Sequence, residues 1–499
     1  MTHLMRTASG LALAAAASML ATSAFAADLG GNCCTDLEER VAELEVTTAR
    51  KGNRKVSLQI YGQVSEAVIW WNDGAESNVY VQENNWIKNT LGFQDSAKIT
   101  SDWSAGFKLE LQIRAYRSSA ANQLSLGASN NVQIATYNTQ SVALRHAFWY
   151  LQSNHYGRIT VGRDTDAAVG TSTITLVNPD GFSGMNGPGF TNGGYFLRRS
   201  GTTGNTGLSN LTWQTFSWIR NGDGPAPFDY AQTKGLIKYT SPFFLGHTKS
   251  SGFQFSADWG ADDAWAVALR YAEEFGGIRF AAGLGYSDWR SVDRNKCSTG
   301  ASGNSTTAAA NMQLGAATPG VDLGSSIDCN AWQASASVLH VASGLFLSGG
   351  GAQMTDHNSG AAFFARNPNA TGRSDGHDSV WWLMGGWQAK LNPLGNTIFW
   401  GQYVSFNTGL GVVNSQVQTV AANDVLNSFG SAAVITGSKT QSWGLGITQN
   451  IDAAAMSVYA GFHNMTTEGT LSNLSTGARA KTNPIDDMQV FYTGATIRF

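Results

Sequence analysis

Charge is scarce in this chain: Asp, Glu, Lys and Arg make up only 13% of its 499 residues, and the formal net charge is −3. Binding to nucleic acid needs clustered Lys and Arg, so a nucleic-acid partner is not expected. Long apolar runs are missing too. After the first 26 residues no stretch of about 18 apolar residues occurs, which excludes a membrane-spanning helix. Catalytic signatures are equally absent. The 8 His stand singly, with no H-E-x-x-H, and no G-x-S-x-G elbow is present. The acidic pairs Asp262-Asp263 and Asp486-Asp487 fall in short polar connections, where solvated charge is the default. Gly283-Leu284-Gly285 and Gly349-Gly350-Gly351 sit within strand-like sequence rather than at a strand-to-helix turn, which argues against phosphate binding. The chain is therefore read as a non-enzyme needing neither cofactor nor metal, although fold class alone does not settle function.

Cysteine is limited to 4 residues. Cys33 and Cys34 are adjacent near the mature start, and Cys297 and Cys329 flank a Gly/Ser/Ala-rich segment with no zinc-ligand pattern. Export to an oxidising compartment makes Cys297 and Cys329 the candidate loop disulfide. Spacing alone does not prove it.

What is present begins with an export signal. Arg6 precedes an Ala-rich apolar run that ends in Ala24-Phe25-Ala26, the pattern of a cleaved secretory peptide over 1–26. Its removal takes away one Arg and no acid, leaving 31 basic against 35 acidic residues. The remainder is rich in Gly (57), Trp (16), Tyr (14) and Phe (24) and poor in Pro (9). Secreted β-sandwiches and β-helices share such a composition, so periodicity must decide. From Trp103, the residues Ala105, Phe107, Leu109, Leu111, Ile113 and Ala115 alternate with Ser104, Gly106, Lys108, Glu110, Gln112 and Arg114. One greasy and one charged face over that length is the signature of a barrel strand between lipid and lumen. Val56, Leu58, Ile60 and Val64 repeat the pattern, as do Trp443, Leu445 and Ile447 before a turn at Asn450-Ile451-Asp452. Ile398 to Phe406 carries aromatics on both faces.

Seven short turns are legible: around 100–102, 153–157, 241–252, 273–277, 340–344, 390–395 and 449–453. Eight connections lie between them, most of them longer and more polar. Fifteen connections join sixteen strands, and short turns on one side with long loops on the other mark an outer-membrane barrel. The expected fold is all-β: a transmembrane antiparallel β-barrel over 55–499. The last strand ends on Phe499, with Ile497, Ala495, Thr493 and Phe491 on its own face. A terminal aromatic of that kind looks like the signal read by the barrel-insertion machinery.

One segment, within 27–54, does not fit a barrel. Leu37, Val41, Leu44 and Thr48 recur at 4-3-4 spacing, with Thr35 as N-cap and Glu38 completing a capping box. So short a helix is marginal alone. The preferred reading is a periplasmic coiled coil made by several copies; a solvated spacer helix is the alternative.

Three blocks carry a family resemblance. GNCCTDLEERVAELEVTTARKGNRKVSLQIYGQVSEAVIWWNDG, the segment LRHAFWYLQSNHYGRITVGRD (Leu144 to Asp164) and the terminal QVFYTGATIRF resemble the general porins of alphaproteobacteria. The resemblance implies a sixteen-stranded homotrimer in outer-membrane lipid. Its third loop, here about 164–232, folds inward to narrow the lumen, with short strands or a helix around Leu211 to Ile219. It also implies a water-filled channel for passive diffusion of small hydrophilic solutes and ions. The alternative is a substrate-selective channel with a saturable lumenal site, which would show as an aromatic track; the aromatics here are assigned instead to the interface girdles. A third reading, an adhesin or structural barrel, requires a plugged lumen.

A diffusion channel requires polar inward side chains and a charged constriction. Alternation places Lys108, Glu110, Arg114, Arg145, Lys238, Arg270 and Arg279 on lumenal faces, while the inward loop offers Asp164, Asp166, Asp180, Arg198 and Arg199. By resemblance, Arg114, Arg145 and Arg163 are expected on the constriction wall and Asp166 and Asp180 on the facing loop. The short list of acids, and the two arginines within the same loop, depart from the usual charge split.

Overall fold

A computed structural model describes residues 48–49 and 58–499, apart from 85–86, 114–117, 119–120, 125–141, 181, 186, 189–193, 217–232, 249, 261–263, 292–326, 357–368, 370–375, 410–411, 414–415 and 418. The signal segment 1–26, the heptad segment with Cys33 and Cys34, Arg114, Cys297 and the Asp262-Asp263 pair lie outside the described residues. The expected disulfide therefore lies outside them as well. Met1–Arg50 and Lys51–Phe499 are separate units, and the second holds the barrel.

Sixteen antiparallel strands form the wall. They are β1 (Leu58–Asn72), β2 (Ser77–Glu83, resuming at Thr90–Lys98), β3 (Trp103–Ile113), β4 (Val142–Ser153), β5 (Gly157–Thr165) and β6 (Thr233–Thr240). Then follow β7 (Gly252–Gly260), β8 (Trp265–Phe275), β9 (Ile278–Ser291), β10 (Ile327–His340) and β11 (Leu345–Asp356). The circuit finishes with β12 (Gly376–Asn392), β13 (Gly395–Thr408), β14 (Ala433–Ile451), β15 (Met456–Asn473) and β16 (Met488–Arg498). Each strand pairs with its successor, and β16 pairs back to β1 through Val68↔Thr493 and Ile69↔Tyr492, so the sheet is closed. Closure removes the unpaired edges that lipid could not solvate. Strand lengths run from 8 residues in β6 to 19 in β14, bracketing the about 9–11 a tilted strand needs to cross the hydrocarbon core.

All seven short turns expected from sequence fall between β2–β3, β4–β5, β6–β7, β8–β9, β10–β11, β12–β13 and β14–β15. They crowd one end of the barrel, and most of the connections at the other end are longer.

Alternation supplies the two faces. On β3 Phe107, Leu109 and Ile113 are exposed, while Glu110 and Gln112 between them are buried; on β14 Trp443, Leu445 and Ile447 are the exposed set. A row such as Leu284 (51% exposed), Trp332 (56%) and Leu445 (55%) is placed to meet acyl chains. There it replaces a water contact costing about 25 cal/mol per Å².

Among the irregularities that escape the period, two lie near the site. β2 breaks at 84–89, where the Asn84 amide donates to the Ser65 carbonyl at 3.1 Å and the Ser65 amide donates to Asn89 Oδ1 at 2.7 Å. The β3–β4 ladder shifts register between Glu110↔His146 and Leu111↔Leu144. That bulge leaves Arg145 and His146, neighbours in sequence, both turned away from the exposed Leu144 and Trp149.

Candidate functional site

Between β5 and β6 the third loop runs from residue 166 to 232, and its described part lies against the inner wall. Its first turn is tied to β7 and β8. The Ala167 amide donates to Asp258 Oδ2 at 2.5 Å, and Arg270 Nη2 donates to the carbonyls of Ala167 and Val169, each at 2.8 Å. Ser335 on β10 donates to the Thr171 carbonyl at 2.7 Å and accepts from the Ile174 amide at 2.8 Å. Trp382 Nε1 on β12 donates to the Ser172 carbonyl at 2.8 Å, and the Gly184 amide reaches Gln402 Oε1 on β13 at 2.5 Å. Small inward residues make room for this path. A Cβ at Gly285 would lie 2.4 Å from Thr171 Oγ1, and one at Gly350 would lie 2.9 Å from the Ser172 carbonyl. Gly283, Gly285 and Gly350 of the glycine strings noted in the sequence thus form part of the floor on which the loop lies.

Further along, the loop forms a two-stranded ribbon, Phe196–Arg198 with Leu208–Thr212, and then a single helical turn, Trp213–Phe216. This is where the sequence placed short strands or a helix. Phe182, Met185, Tyr195, Leu197, Trp213 and Phe216 are buried against Trp71, Tyr80, Trp400, Phe406, Tyr459 and Tyr492 of the wall. For these six wall residues the assignment of the aromatics to interface girdles is corrected: they point inward and seat the loop, whereas Trp149, Trp259, Trp332, Trp381 and Trp443 are exposed outside. The double-faced aromatics of β13 have the same cause, with Trp400 and Phe406 toward the loop and Phe399 exposed outside. They are not an aromatic track either, because the loop covers them.

The charged wall lies on the opposite arc. Glu110 accepts from Tyr61 Oη at 2.7 Å and from Arg145 Nη1 at 2.5 Å, with Lys108 Nζ at 3.1 Å. Asp164 lies 2.6 Å from Lys238 Nζ and 3.1 Å from His146 Nδ1. The Lys234–Asp258 pair at 2.8 Å continues the arc toward the loop's first turn. Alternating acid and base along one wall holds each charge by its neighbour, so that burial is offset by pairing.

The expected site residues thus separate. Lys108, Glu110, Arg145 and Lys238 stand together on this arc with Asp164. Arg163, on β5, is partly buried. Asp166 is buried at the start of the loop, accepting from the amides of Ala168 and Val169, each at 2.9 Å. Arg270 is spent on the loop's backbone rather than on open lumen. Arg279 lies at the turn-end mouth, ion-paired with Glu274 at 2.7 Å and half exposed.

Asp180 departs most from expectation. It is 4% exposed, accepts from the Phe182 amide at 2.7 Å and from Tyr492 Oη at 3.4 Å, and faces the β15–β16 wall rather than an arginine. Burial raises its carboxyl from the ordinary 3.8 to about 6 despite those donors. Arg198 leaves the lumen as well, turning to Asp73 at 2.9 Å and Glu76 at 3.5 Å. Sequence reasoning missed His146, because only the bulge turns it inward, and Arg158, which lies too close to a turn for alternation to be read.

Polar cavities are open among the described residues. One, of about 1290 Å³, lies at the turn end and is lined by Gln59, Gln94, Lys108, Arg158, Asp164 and Lys238 among others. Another, about 1070 Å³, lies at the loop end between β11 and β15, with His377, Lys439, Glu468 and Arg479 on its walls.

A family model described as Gram-negative porin matches residues 12–470. The chain belongs to that family. No curated protein matches it. Solved structures similar to this porin include an anion-selective porin from Comamonas acidovorans (14% identity, 89% of this chain and 100% of that one, TM-score 0.47). Salmonella typhi OmpF in complex with daunomycin is also similar (14%, 90% and 100%, TM-score 0.45). So is the trimer form of Vibrio cholerae OmpT (12%, 89% and 100%, TM-score 0.45). Family and closed barrel together place this porin in the outer membrane as a channel protein.

Proposed function

We propose that this porin is a water-filled channel for passive diffusion of small hydrophilic solutes and ions, working as a homotrimer of the alphaproteobacterial general type. The observation that carries the reading is the division of the barrel interior. The third loop runs along β7 to β12 and onto the aromatic arc, and leaves Lys108, Asp164 and Lys238 of the charged arc lining an open polar cavity of about 1290 Å³. A channel selects by such inward polar groups and by the width the loop leaves. Arg114, Arg145 and Arg163 on the wall, with Asp166 and Asp180 on the loop, remain the proposed constriction set. Within it Arg145 is the strongest member and Asp180 acts as an anchor of the loop. In this reading residues 1–26 are removed on export, 27–54 form the periplasmic segment, and Phe499 addresses the chain to the insertion machinery.

Single-channel recording of the purified protein in a planar bilayer tests this. Ohmic steps in groups of three, with a reversal potential under a salt gradient, are the expected result. Correctly folded protein that never conducts would overturn the reading and favour a plugged barrel.

A further inference from the structure

The turn-end cavity holds four basic side chains, and three of them are matched by an acid. Lys108 has Glu110 at 3.1 Å, Lys238 has Asp164 at 2.6 Å, and His155 has Asp102 at 2.8 Å. Arg158 has no carboxylate within ion-pair distance among the described residues. Its guanidinium carbon lies 3.8 Å from the centroid of the Tyr150 ring and 5.4 Å from that of Phe148, while Nε donates to Thr160 Oγ1 at 3.1 Å. Stacking and that one hydrogen bond fix the plane of the fork; among the described residues Nη1 and Nη2 make no protein hydrogen bond, and Arg158 lines the cavity. A guanidinium held flat with both Nη groups unspent is preorganised for bidentate capture of a carboxylate.

The surroundings say what the rest of such a ligand looks like. Gln59, Gln94, Gln152 and Gln254 line the same space. Gln94 Nε2 donates to Gln59 Oε1 at 2.9 Å and Gln254 Nε2 to the Ser241 carbonyl at 3.3 Å, so each of these amides keeps unspent hydrogen-bonding capacity. An amide offers both a donor and an acceptor, as a hydroxyl does, and four of them around one fork suit a polyhydroxylated chain. We infer that the turn-end vestibule is a weak binding site for small polyhydroxylated carboxylates of the sugar-acid type, with Arg158 holding the carboxylate and the glutamine amides the hydroxyls. The inference rests on the channel reading and gives it a preferred class of solute.

The test uses the intact porin in a planar bilayer at about 0.1 M KCl, where the Debye length is about 10 Å and a local charge is still felt. Gluconate is titrated into the turn-side compartment while chloride conductance is recorded. Saturable block is expected, and Arg158→Gln should raise the half-blocking concentration about tenfold, the loss of one charged hydrogen-bonded contact. Arg158→Lys, which keeps the charge without the fork, should fall between the two. Uncharged sorbitol at equal concentration controls for viscosity. A protein that does not conduct at all defeats the channel reading on which this rests. A conducting protein with no saturable block, or with equal block in wild type and Arg158→Gln, overturns the site alone.

Discussion

Arg198 Nε lies 2.9 Å from Asp73 Oδ2, with both side chains almost wholly enclosed, so the ribbon of the third loop is held to the connection between β1 and β2. The contact is a charge pairing rather than an aligned hydrogen bond; the directed bond of this guanidinium runs from Nη1 to the Gly204 carbonyl at 2.8 Å. Asp73 is occupied elsewhere too, accepting from the Glu76 amide at 2.9 Å and from Gln123 Nε2 at 3.1 Å. Two loops that would each be soft alone therefore restrain one another.

Removing one partner leaves the other charged and buried, which costs about 3–5 kcal/mol. Arg198→Met should therefore lower the thermal midpoint of the folded barrel and turn quiet conductance into flicker as the ribbon loosens. Asp73→Asn/Arg198→Met, which removes both charges, should recover part of the loss. Equal midpoints for wild type and Arg198→Met, measured by loss of heat-modifiable gel mobility, would show that the pair does not anchor the loop.

Asp180 predicts a pH dependence of opposite sign to the usual carboxylate. Its folded value, about 6, lies above the ordinary 3.8, so the protonated acid is the form that suits the buried site. The stabilisation is complete below about 3.8 and is lost as pH rises through about 6, a difference of about 3 kcal/mol at most. The loop should then be better docked at pH 5 than at pH 8, and Asp180→Asn should abolish the difference and stabilise at pH 8. Limited proteolysis of the third loop at the two pH values reads this directly. Faster cleavage at pH 5 than at pH 8 would contradict it.

How far the sequence could be read follows from what each feature depends on. Phe107, Leu109 and Ile113 announce a lipid-facing row because lipid acts on each residue separately, and a period of two survives any neighbour. The turns and the limits of the third loop are local for the same reason. His146 was invisible because one extra residue in β4 flips the face, and a bulge is a property of two strands together. Trp400 and Phe406 were ambiguous because the core they join is completed by Phe182 and Phe216, which arrive from a loop about two hundred residues away in the chain. Asp180 was placed on the correct loop, but neither its depth nor its contact with Tyr492 is a property of local sequence.

The outer face makes a sharper prediction. Leu284 is 51% exposed near the middle of β9, opposite Leu269 and Ala334. Leu284→Arg should cost about 2–4 kcal/mol in a lipid bilayer, the toll of a cation at the midplane. Leu284→Ile, which keeps volume and apolarity, should cost less than about 1.5 kcal/mol. Urea unfolding from vesicles compares the three proteins. Indistinguishable stabilities for Arg and Ile would mean that this row does not meet lipid.

Closure of the barrel depends on a close approach between Gly62 and Phe499. The Gly62 amide donates to the Phe499 carbonyl at 2.9 Å and the Phe499 amide returns a bond to Gly62 at 3.1 Å. A Cβ on residue 62 would lie 2.5 Å from the Phe499 ring and 2.6 Å from the Thr90 carbonyl. The ring could swing aside, but the Thr90 backbone belongs to the neighbouring strand and cannot. Gly62→Val should therefore weaken this seam by about 1–3 kcal/mol, the usual cost of overpacking. Phe499→Ala in the same background relieves only the ring clash and should recover little. Folding into detergent micelles, followed as the heat-modifiable fraction over time, should be slowed by Gly62→Val. If Phe499→Ala restored the full rate, the ring and not the Thr90 carbonyl would be what demands glycine at the seam.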